Sequence, residues 1–262
     1  MLVDFISLIG RKAIRAYKLI TDILSFIYET LKLILKPSSY DGATNRVLIR
    51  QIYFTSIQVL PYFLTLSLFF GATLVGLSTG ALKKMNLLDS LGEAFFAFVV
   101  IEIAPFFTVI LLSLRSATAM SSEIAIMKVN NEIDTLKAFG INPNRYIALP
   151  RIVAGVVSMV ILSFLFATIS IGGGVISSFL FFGTSVKGYM YLVINNFVIS
   201  DFLYLLIKSI FLAIVMVMIP IYSALRTPKK LSAVPISVSN GMVRLFDAII
   251  LIEVVTLTLR FL

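Results

Sequence analysis

The chain has 262 residues, of which 59% are hydrophobic and 13% are charged, and its mean hydropathy is +1.03. A soluble domain usually has about 45–50% apolar and about 25% charged residues, so this composition excludes a soluble domain and predicts an integral membrane protein. The absence of Cys and His excludes disulfides, thiolate nucleophiles and His/Cys metal sites, and the net charge of +9 fits loop bias in a membrane protein better than nucleic-acid binding.

The first 36 residues predict an amphipathic helix that lies along the membrane surface. Polar residues recur at steps of three or four, which places them on one face of a continuous helix, and apolar residues cover the other face. Such a helix lies in the interface with its cations near the head groups. A signal peptide does not fit, because no uninterrupted apolar core is followed by a small-residue cleavage site. The polar positions are Asp4, Ser7, Arg11, Arg15, Lys18, Asp22, Ser25, Glu29, Lys32 and Lys36.

Five apolar segments predict five transmembrane helices. The first and third exceed the roughly 20 residues that cross a bilayer. Pro61, Gly71, Gly76 and Gly80 predict kinks or breaks in the first segment, and the run at 172–174 predicts close helix packing or a bend in the third. The predicted spans are 52–82, 91–114, 152–182, 202–225 and 243–262, with a small surface helix within 183–196.

The distribution of basic residues predicts the orientation. Segments 1–50, 115–151 and 226–244 hold eight, five and four Lys and Arg, which is 17 of the chain's 22. Positive residues gather in cytoplasmic loops, so these three segments are expected in the cytoplasm. The amino terminus is then cytoplasmic and the carboxyl terminus lies on the opposite side.

The polar stretch "SSEIAIMKVNNEIDTLKAFGINPNRY" predicts a cytoplasmic amphipathic helix over 121–140, between the second and third spans. Ser121 or Ser122 would cap its amino end, Gly140 would close it in a left-handed conformation, and Pro143 follows. Both a surface helix resting on the bilayer and a docking helix for a cytosolic partner fit this pattern. The apolar stripe of this helix is Ile126, Val129, Ile133 and Leu136.

The segment "IEIAPFFTVILLSLRSATAMSSEIAIMKVNNEIDTLKAFGINPNRYIALPRIVAGVVS" resembles the MlaE/YrbE-type permeases of lipid-transporting ABC systems. Weaker similarity covers nearly the whole chain. The sequence departs from the family pattern at Ile101, Ala104 and Ser116, where the family has Arg, Gly and Gly. The matching positions are Glu102, Pro105, Arg115, Ala119, Glu123, Ile124, Met127, Glu132, Ile133, Asp134, Asn142, Pro143, Pro150 and Arg151.

The resemblance implies an all-α integral membrane protein that forms a single permease domain over residues 1–262. It implies an interfacial helix, five spans, a coupling helix, a homodimer, and a place in the bacterial inner membrane with a periplasmic carboxyl terminus. Two cytosolic ATPase subunits and a periplasmic ring of MCE-domain proteins would be the partners, and phospholipid the cargo. The expected ATPase-coupling residues are Glu123, Ile126, Met127, Lys128, Val129, Glu132, Ile133, Asp134 and Leu136.

The chain is not expected to be an enzyme. It has no G-x-x-x-x-G-K-[ST] phosphate cradle, so ATP and Mg are expected in the partner ATPase. No spacing supports a catalytic set, and neither a metal nor a cofactor is expected in this chain.

Polar residues inside the membrane are costly and are therefore functional candidates. Glu102 is expected to line a lipid cavity or to pair across the dimer, or alternatively to bond the backbone freed by Pro105. Glu253 is expected to pair with Lys208 or Arg115. The candidates for a lipid pathway are Glu102, Leu74, Leu77 and Ser78.

Two other functional classes fit the sequence. A proton-coupled secondary transporter would use Glu102 and Glu253 as proton carriers, although five spans do not divide into two repeated halves. A non-transporting membrane scaffold would have no need of an intramembrane carboxylate.

Overall fold

A computed structural model describes residues 2–85, 98–183, 185–187 and 199–261. In this part of the chain every regular element is a helix, because a backbone that crosses hydrocarbon must satisfy its hydrogen bonds internally. The longer helices, numbered in chain order, are α1 (Leu2–Ile34), α2 (42–84), α3 (Val99–Val129), α4 (Glu132–Ala138), α5 (144–182), α6 (Ile199–Leu225) and α7 (Ala233–Phe261).

Four of these helices, α2, α3, α5 and α6, are long and apolar enough to cross a membrane. They correspond to the first four predicted spans. α7 corresponds to the fifth and has 29 residues, but it carries four charged side chains. Residues 91–97, where the second span was predicted to begin, and most of the surface helix predicted within 183–196 lie outside the described residues.

Several helices begin before the apolar segment that predicted them. α2 begins ten residues before the expected start at 52, α5 eight residues before 152, and α7 ten residues before 243. Hydropathy locates the part of a helix that is in hydrocarbon, whereas the hydrogen-bonded backbone continues into the polar region. Residues such as Arg46 and Arg50 therefore lie on the same helix as the first span.

Helix α2 is not a regular α-helix along its length. π-helical turns occupy Tyr53–Ile57 and Gly71–Val75, and Pro61 lies in the first turn of the regular segment that follows Val59. The irregularity predicted at Pro61 and Gly71 is therefore present, and it takes the form of widened turns.

Helix α5 is the centre of the bundle. It packs against α1, α2, α3 and α6, and α7 packs against α6 and the carboxyl-terminal half of α3. Aromatic rings fill the space between α2, α3 and α5, where Phe107 and Phe166 stack with centroids 5.9 Å apart and Phe63 and Phe70 approach the same ring.

Within the glycine run at 172–174, Gly173 serves the close packing that was predicted. A Cβ placed on Gly173 would lie 2.6 Å from the carbonyl oxygen of Leu68, and a Cβ on Gly71 would lie 2.2 Å from that of Ser170. Helices α2 and α5 therefore meet through their backbones, which only glycine permits here.

The prediction of a single capped helix over 121–140 is wrong. α3 continues without a break through Ser121 and Ser122 to Val129, so neither serine caps a helix, and Ser121 instead donates to the Pro220 carbonyl oxygen at 3.3 Å. The chain then turns at Asn131, which adopts a left-handed conformation with φ of 62°, and α4 follows. Asparagine tolerates this conformation better than most residues, so the Asn130-Asn131 pair separates the two helices. The left-handed Gly140 is confirmed, with φ of 73°.

Candidate functional site

Four charged side chains from three helices meet inside the bundle. α3 contributes Glu102, α6 contributes Lys208, and α7 contributes Glu253 and Arg260. Lys208 and Glu102 are almost fully buried. We call these four residues the ion cluster.

Lys208 is the centre of the ion cluster. Its ammonium donates to Oε2 of Glu102 and, at 2.7 Å, to Oε2 of Glu253. Nη1 of Arg260 lies 3.6 Å from Oε1 of Glu102. Two positive and two negative charges thus offset one another, as buried charges require. Oε1 of Glu102 and Oε1 of Glu253 accept no hydrogen bond from the described residues.

Glu102 lies on a π-helical turn, Val99–Ile103, that ends two residues before Pro105. A π-turn rotates the residues that follow it and recurs at functional positions in helices. The carboxylate pairs with a side chain of α6, so the expected alternative, a bond to backbone freed by Pro105, is not what the structure shows.

The ion cluster borders an apolar groove between α6 and α7. The groove has a volume of about 360 Å³ and Lys208 contributes to its wall. Its other lining residues are Tyr204, Ile207, Phe211, Leu251, Ile252, Val255, Thr256 and Leu259. Charge and hydrocarbon-like surface therefore lie side by side, which suits a ligand with a polar head and an apolar chain.

The sequence predicted part of this site. The pairing of Glu253 with Lys208 is confirmed, whereas Arg115, the other expected partner, lies on a different π-helical turn of α3, Ser113–Ala117. Arg260 was not predicted. It follows Glu253 by seven residues, so the two share one face of α7, and that spacing was the available signal.

The other lipid-pathway candidates lie on a different helix. Leu74 and Ser78 are half-buried and Leu77 is exposed, in the part of α2 that packs against α5. The ion cluster draws its side chains from α3, α6 and α7, so Glu102 is not grouped with these three residues.

A second polar region surrounds the end of α3 and α4. The buried Arg151 guanidinium at the start of α5 lies 2.7 Å from Oε2 of Glu123. Asp134 accepts from Lys128 at 3.2 Å and from Lys229, in the loop before α7, at 2.8 Å. These hydrogen bonds, with Lys229 as the stronger cause, hold the pKa of Asp134 below its usual value.

The apolar residues predicted to form one stripe in this region differ in how exposed they are. Ile133 is buried, and Leu136 and Met127 pack against the protein's own core. Ile126 is 44% exposed, and Phe139 and Ile141, just beyond α4, are 77% and 43% exposed.

The acidic residues predicted for this region also differ in their surroundings. Glu123 and Asp134 have partners within the chain. Glu132 is exposed and accepts only from the neighbouring Asn130 side chain, at 3.3 Å, among the described residues.

Comparison with known proteins identifies the family. The model of the permease MlaE family matches residues 48–259. The intermembrane phospholipid transport system permease protein MlaE of Haemophilus influenzae is 28% identical over 224 residues, which cover 85% of this chain and 84% of that protein. Probable ABC transporter permease proteins of Rickettsia typhi and Pyropia yezoensis are 24% and 27% identical over 66% and 70% of each chain. The match to the family model spans most of the described helices, and the chain belongs to the MlaE permease family.

Proposed function

We propose that this chain is the permease subunit of an ABC-type phospholipid transporter in the bacterial inner membrane. It moves lipid between that membrane and a conduit of MCE-domain proteins, works as a homodimer, and is driven by a separate cytosolic ATPase that binds ATP and Mg. Family membership and the name of the Haemophilus influenzae relative support the cargo and the membrane.

The proposal includes five spans. α7 is less apolar than the other four spans, but Glu253 and Arg260 lie in the ion cluster. Charges that are paired inside a bundle do not face lipid, so α7 can cross the membrane despite its composition.

Helix α1 is proposed to lie in the cytoplasmic interface. Its Ile23, Phe26 and Ile27 pack against the core, and Asp22 forms a 2.8 Å ion pair with Arg226 at the end of α6. Exposed apolar residues such as Tyr17 and Leu24 remain for contact with lipid.

The ATPase is proposed to bind the end of α3 together with α4. Ile126, Phe139 and Ile141 supply exposed apolar surface there, and Glu132 supplies an exposed negative charge. Glu123 and Asp134, which sequence reasoning assigned to the ATPase, have partners within the chain and are proposed to position this surface.

One observation carries the proposal. α3 is a single helix from Val99 to Val129, so it joins the ATPase surface at one end to Glu102 at the other. At 1.5 Å per residue the two lie about 40 Å apart along the helix axis. A continuous helix passes on a displacement that a flexible loop would absorb, so motion of α4 reaches the ion cluster.

The test is charge reversal and truncation on the ATPase surface. Glu132→Lys and Phe139→Ala are expected to weaken ATPase binding by roughly tenfold or more, since interface charges and aromatic anchors carry much of such affinity. Co-purification of the ATPase, its stimulated hydrolysis and ATP-dependent lipid transfer in reconstituted vesicles are measured together. Glu29→Lys, a reversal at an exposed position of α1, is the matched control.

The outcomes separate the alternatives. If both variants bind the ATPase and couple its hydrolysis to lipid transfer as the wild type does, α4 is not the ATPase surface. Lipid transfer that follows a proton gradient and ignores ATP would favour the secondary transporter. No transfer under either condition would favour a scaffold.

A further inference from the structure

A second cavity, of about 490 Å³, lies between α2, α3 and the beginning of α5. It is on the same side of the bundle as α4, far along α3 from the ion cluster. Residues of three π-helical turns line it, which are Tyr53–Ile57 of α2, Ser113–Ala117 of α3 and Asn144–Ala148 of α5. Each π-helical turn disrupts the regular hydrogen bonding of its helix and is therefore unfavourable by itself. Three such turns around one cavity indicate a functional site.

The cavity contains positive charge that no described residue offsets. Arg151 is neutralised by Glu123, but Arg50 and Arg115 form no ion pair with a described residue. Arg50 lies 5.5 Å from the ring of Phe54, which fixes its direction without offsetting its charge.

Polar groups in the wall of the cavity also lack partners. The hydroxyl of Thr55 and Nε of Arg151 are buried and make no hydrogen bond with the described residues. The side chains of Gln51 and Gln58 add amide donors to the same wall. Together with the two arginines that lack an ion pair, the two glutamine amides suit a phosphate group, which accepts several hydrogen bonds and pairs bidentately with Arg.

An apolar groove lies next to this cavity, and Arg115 lines both. The groove has a volume of about 310 Å³ and lies between α2 and α3, along Val59, Tyr62, Phe63, Leu66 and Leu111. A cavity with two unpaired arginines beside an apolar groove matches the polarity of a phospholipid, which has a charged head at one end and acyl chains at the other.

We infer that this cavity binds the phosphate group of a membrane glycerophospholipid through Arg50 and Arg115, with an acyl chain in the groove beyond Arg115. The inference deepens the proposed function and rests on it, since it places a lipid of the transport reaction at the α4 side of the membrane. A free phosphate ion has no apolar part to occupy the groove. A cytosolic protein could not reach Leu66, which lies about four turns further along α2 than Arg50.

The chain contains no Trp, so a single introduced tryptophan can report on the groove. The substitution Tyr62→Trp places this reporter among the residues that line the groove, and Phe69→Trp places it elsewhere on α2, at a position of similar exposure (73% and 72%). We call the first the groove reporter and the second the outer reporter. Each full-length protein is reconstituted in phosphatidylcholine vesicles that contain a small fraction of either a glycerophospholipid with brominated acyl chains or diacylglycerol with the same chains. Bromine quenches tryptophan fluorescence on contact.

The brominated phospholipid should quench the groove reporter more strongly than it quenches the outer reporter. Brominated diacylglycerol should quench the groove reporter less than the brominated phospholipid does. Arg50→Gln and Arg115→Gln should raise the phospholipid fraction needed for half-quenching of the groove reporter by about tenfold each, because each removes a charge-assisted bond. Arg46→Gln, which removes a cation one turn earlier on α2 and outside the cavity, should leave it unchanged.

Four results would overturn the inference. Equal quenching by the two lipids, or quenching that survives both Arg replacements, would remove the phosphate contact. Displacement by inorganic phosphate alone would assign the cavity to a free anion. Loss of the ATPase from Arg115→Gln with normal quenching would assign these arginines to a protein interface. Because quenching is measured without ATP, it is independent of whether the chain transports lipid at all.

Discussion

Lys208 forms ion pairs with Glu102 and Glu253, from two other helices, and this arrangement makes the three positions interdependent. Taking charges out of water is costly, and a buried pair is only weakly stabilising as a whole. Removing one partner is different, because the remaining charge stays buried without compensation. Lys208 is therefore expected to matter more for stability than any carboxylate of the ion cluster taken alone.

We expect Lys208→Met to destabilise the protein by about 3–5 kcal/mol, because it leaves two carboxylates facing one arginine. Lys208→Met combined with Glu102→Gln restores equal numbers of positive and negative charges and should recover a large part of that loss. Thermal unfolding of the detergent-solubilised chain, followed by size-exclusion chromatography, measures both. Equal midpoints for the single and double variants would show that charge balance does not hold the ion cluster together.

At the scale of elements, the sequence predicted the membrane helices better than their ends and contacts. Hydropathy identified the apolar segments, since the composition of a helix reflects whether lipid or water surrounds it. It could not find where α3 ends, because the polar residues after Ser121 belong to the same helix as the span. Nor could it show that Arg50 and Arg115 share a cavity, since that depends on how α2 and α3 pack against α5.

The contact between α2 and α5 gives a paired test within one glycine run. A Cβ on Gly173 would lie 2.6 Å from the Leu68 oxygen and 2.8 Å from the Ala72 nitrogen, whereas a Cβ on Gly172 would meet nothing within 4 Å. Gly173→Ala should destabilise by about 1–3 kcal/mol, because backbone atoms cannot move aside. Gly172→Ala should be neutral or stabilising, since alanine favours the helix. The unfolding midpoints of the two variants test this prediction. Equal midpoints would contradict the close approach of α2 and α5 at Gly173.

At the scale of the whole molecule, the three segments predicted to be cytoplasmic are tied together at one end of the bundle. Asp22 of α1 pairs with Arg226 after α6, Lys229 pairs with Asp134 of α4, and Asp41 pairs with Arg145 at the start of α5 at 2.6 Å. These contacts join regions that are far apart in the sequence. They support one polar side on which an ATPase could act on several helices at once.

This arrangement predicts which positions a membrane-impermeant maleimide reaches. The chain has no Cys, so each introduced Cys is the only thiol. Cys at Lys32, Lys137 and Lys229 should label only after the membrane is opened, because these exposed residues lie on the proposed cytoplasmic side. Cys at Met85, after α2, and at Ser185, between α5 and α6, should label in intact cells.

A Cys appended after residue 262 tests the fifth span in the same experiment. If α7 crosses the membrane, this thiol lies on the same side as positions 85 and 185 and labels in intact cells. If α7 lies on the cytoplasmic surface, the thiol labels only after opening. That outcome would also place Glu253 and Arg260 near water and remove the reason for their pairing with Lys208 and Glu102 inside the bundle. Labelling of positions 32 and 137 from different sides would overturn the orientation as a whole, because α1 and α4 would then face opposite compartments.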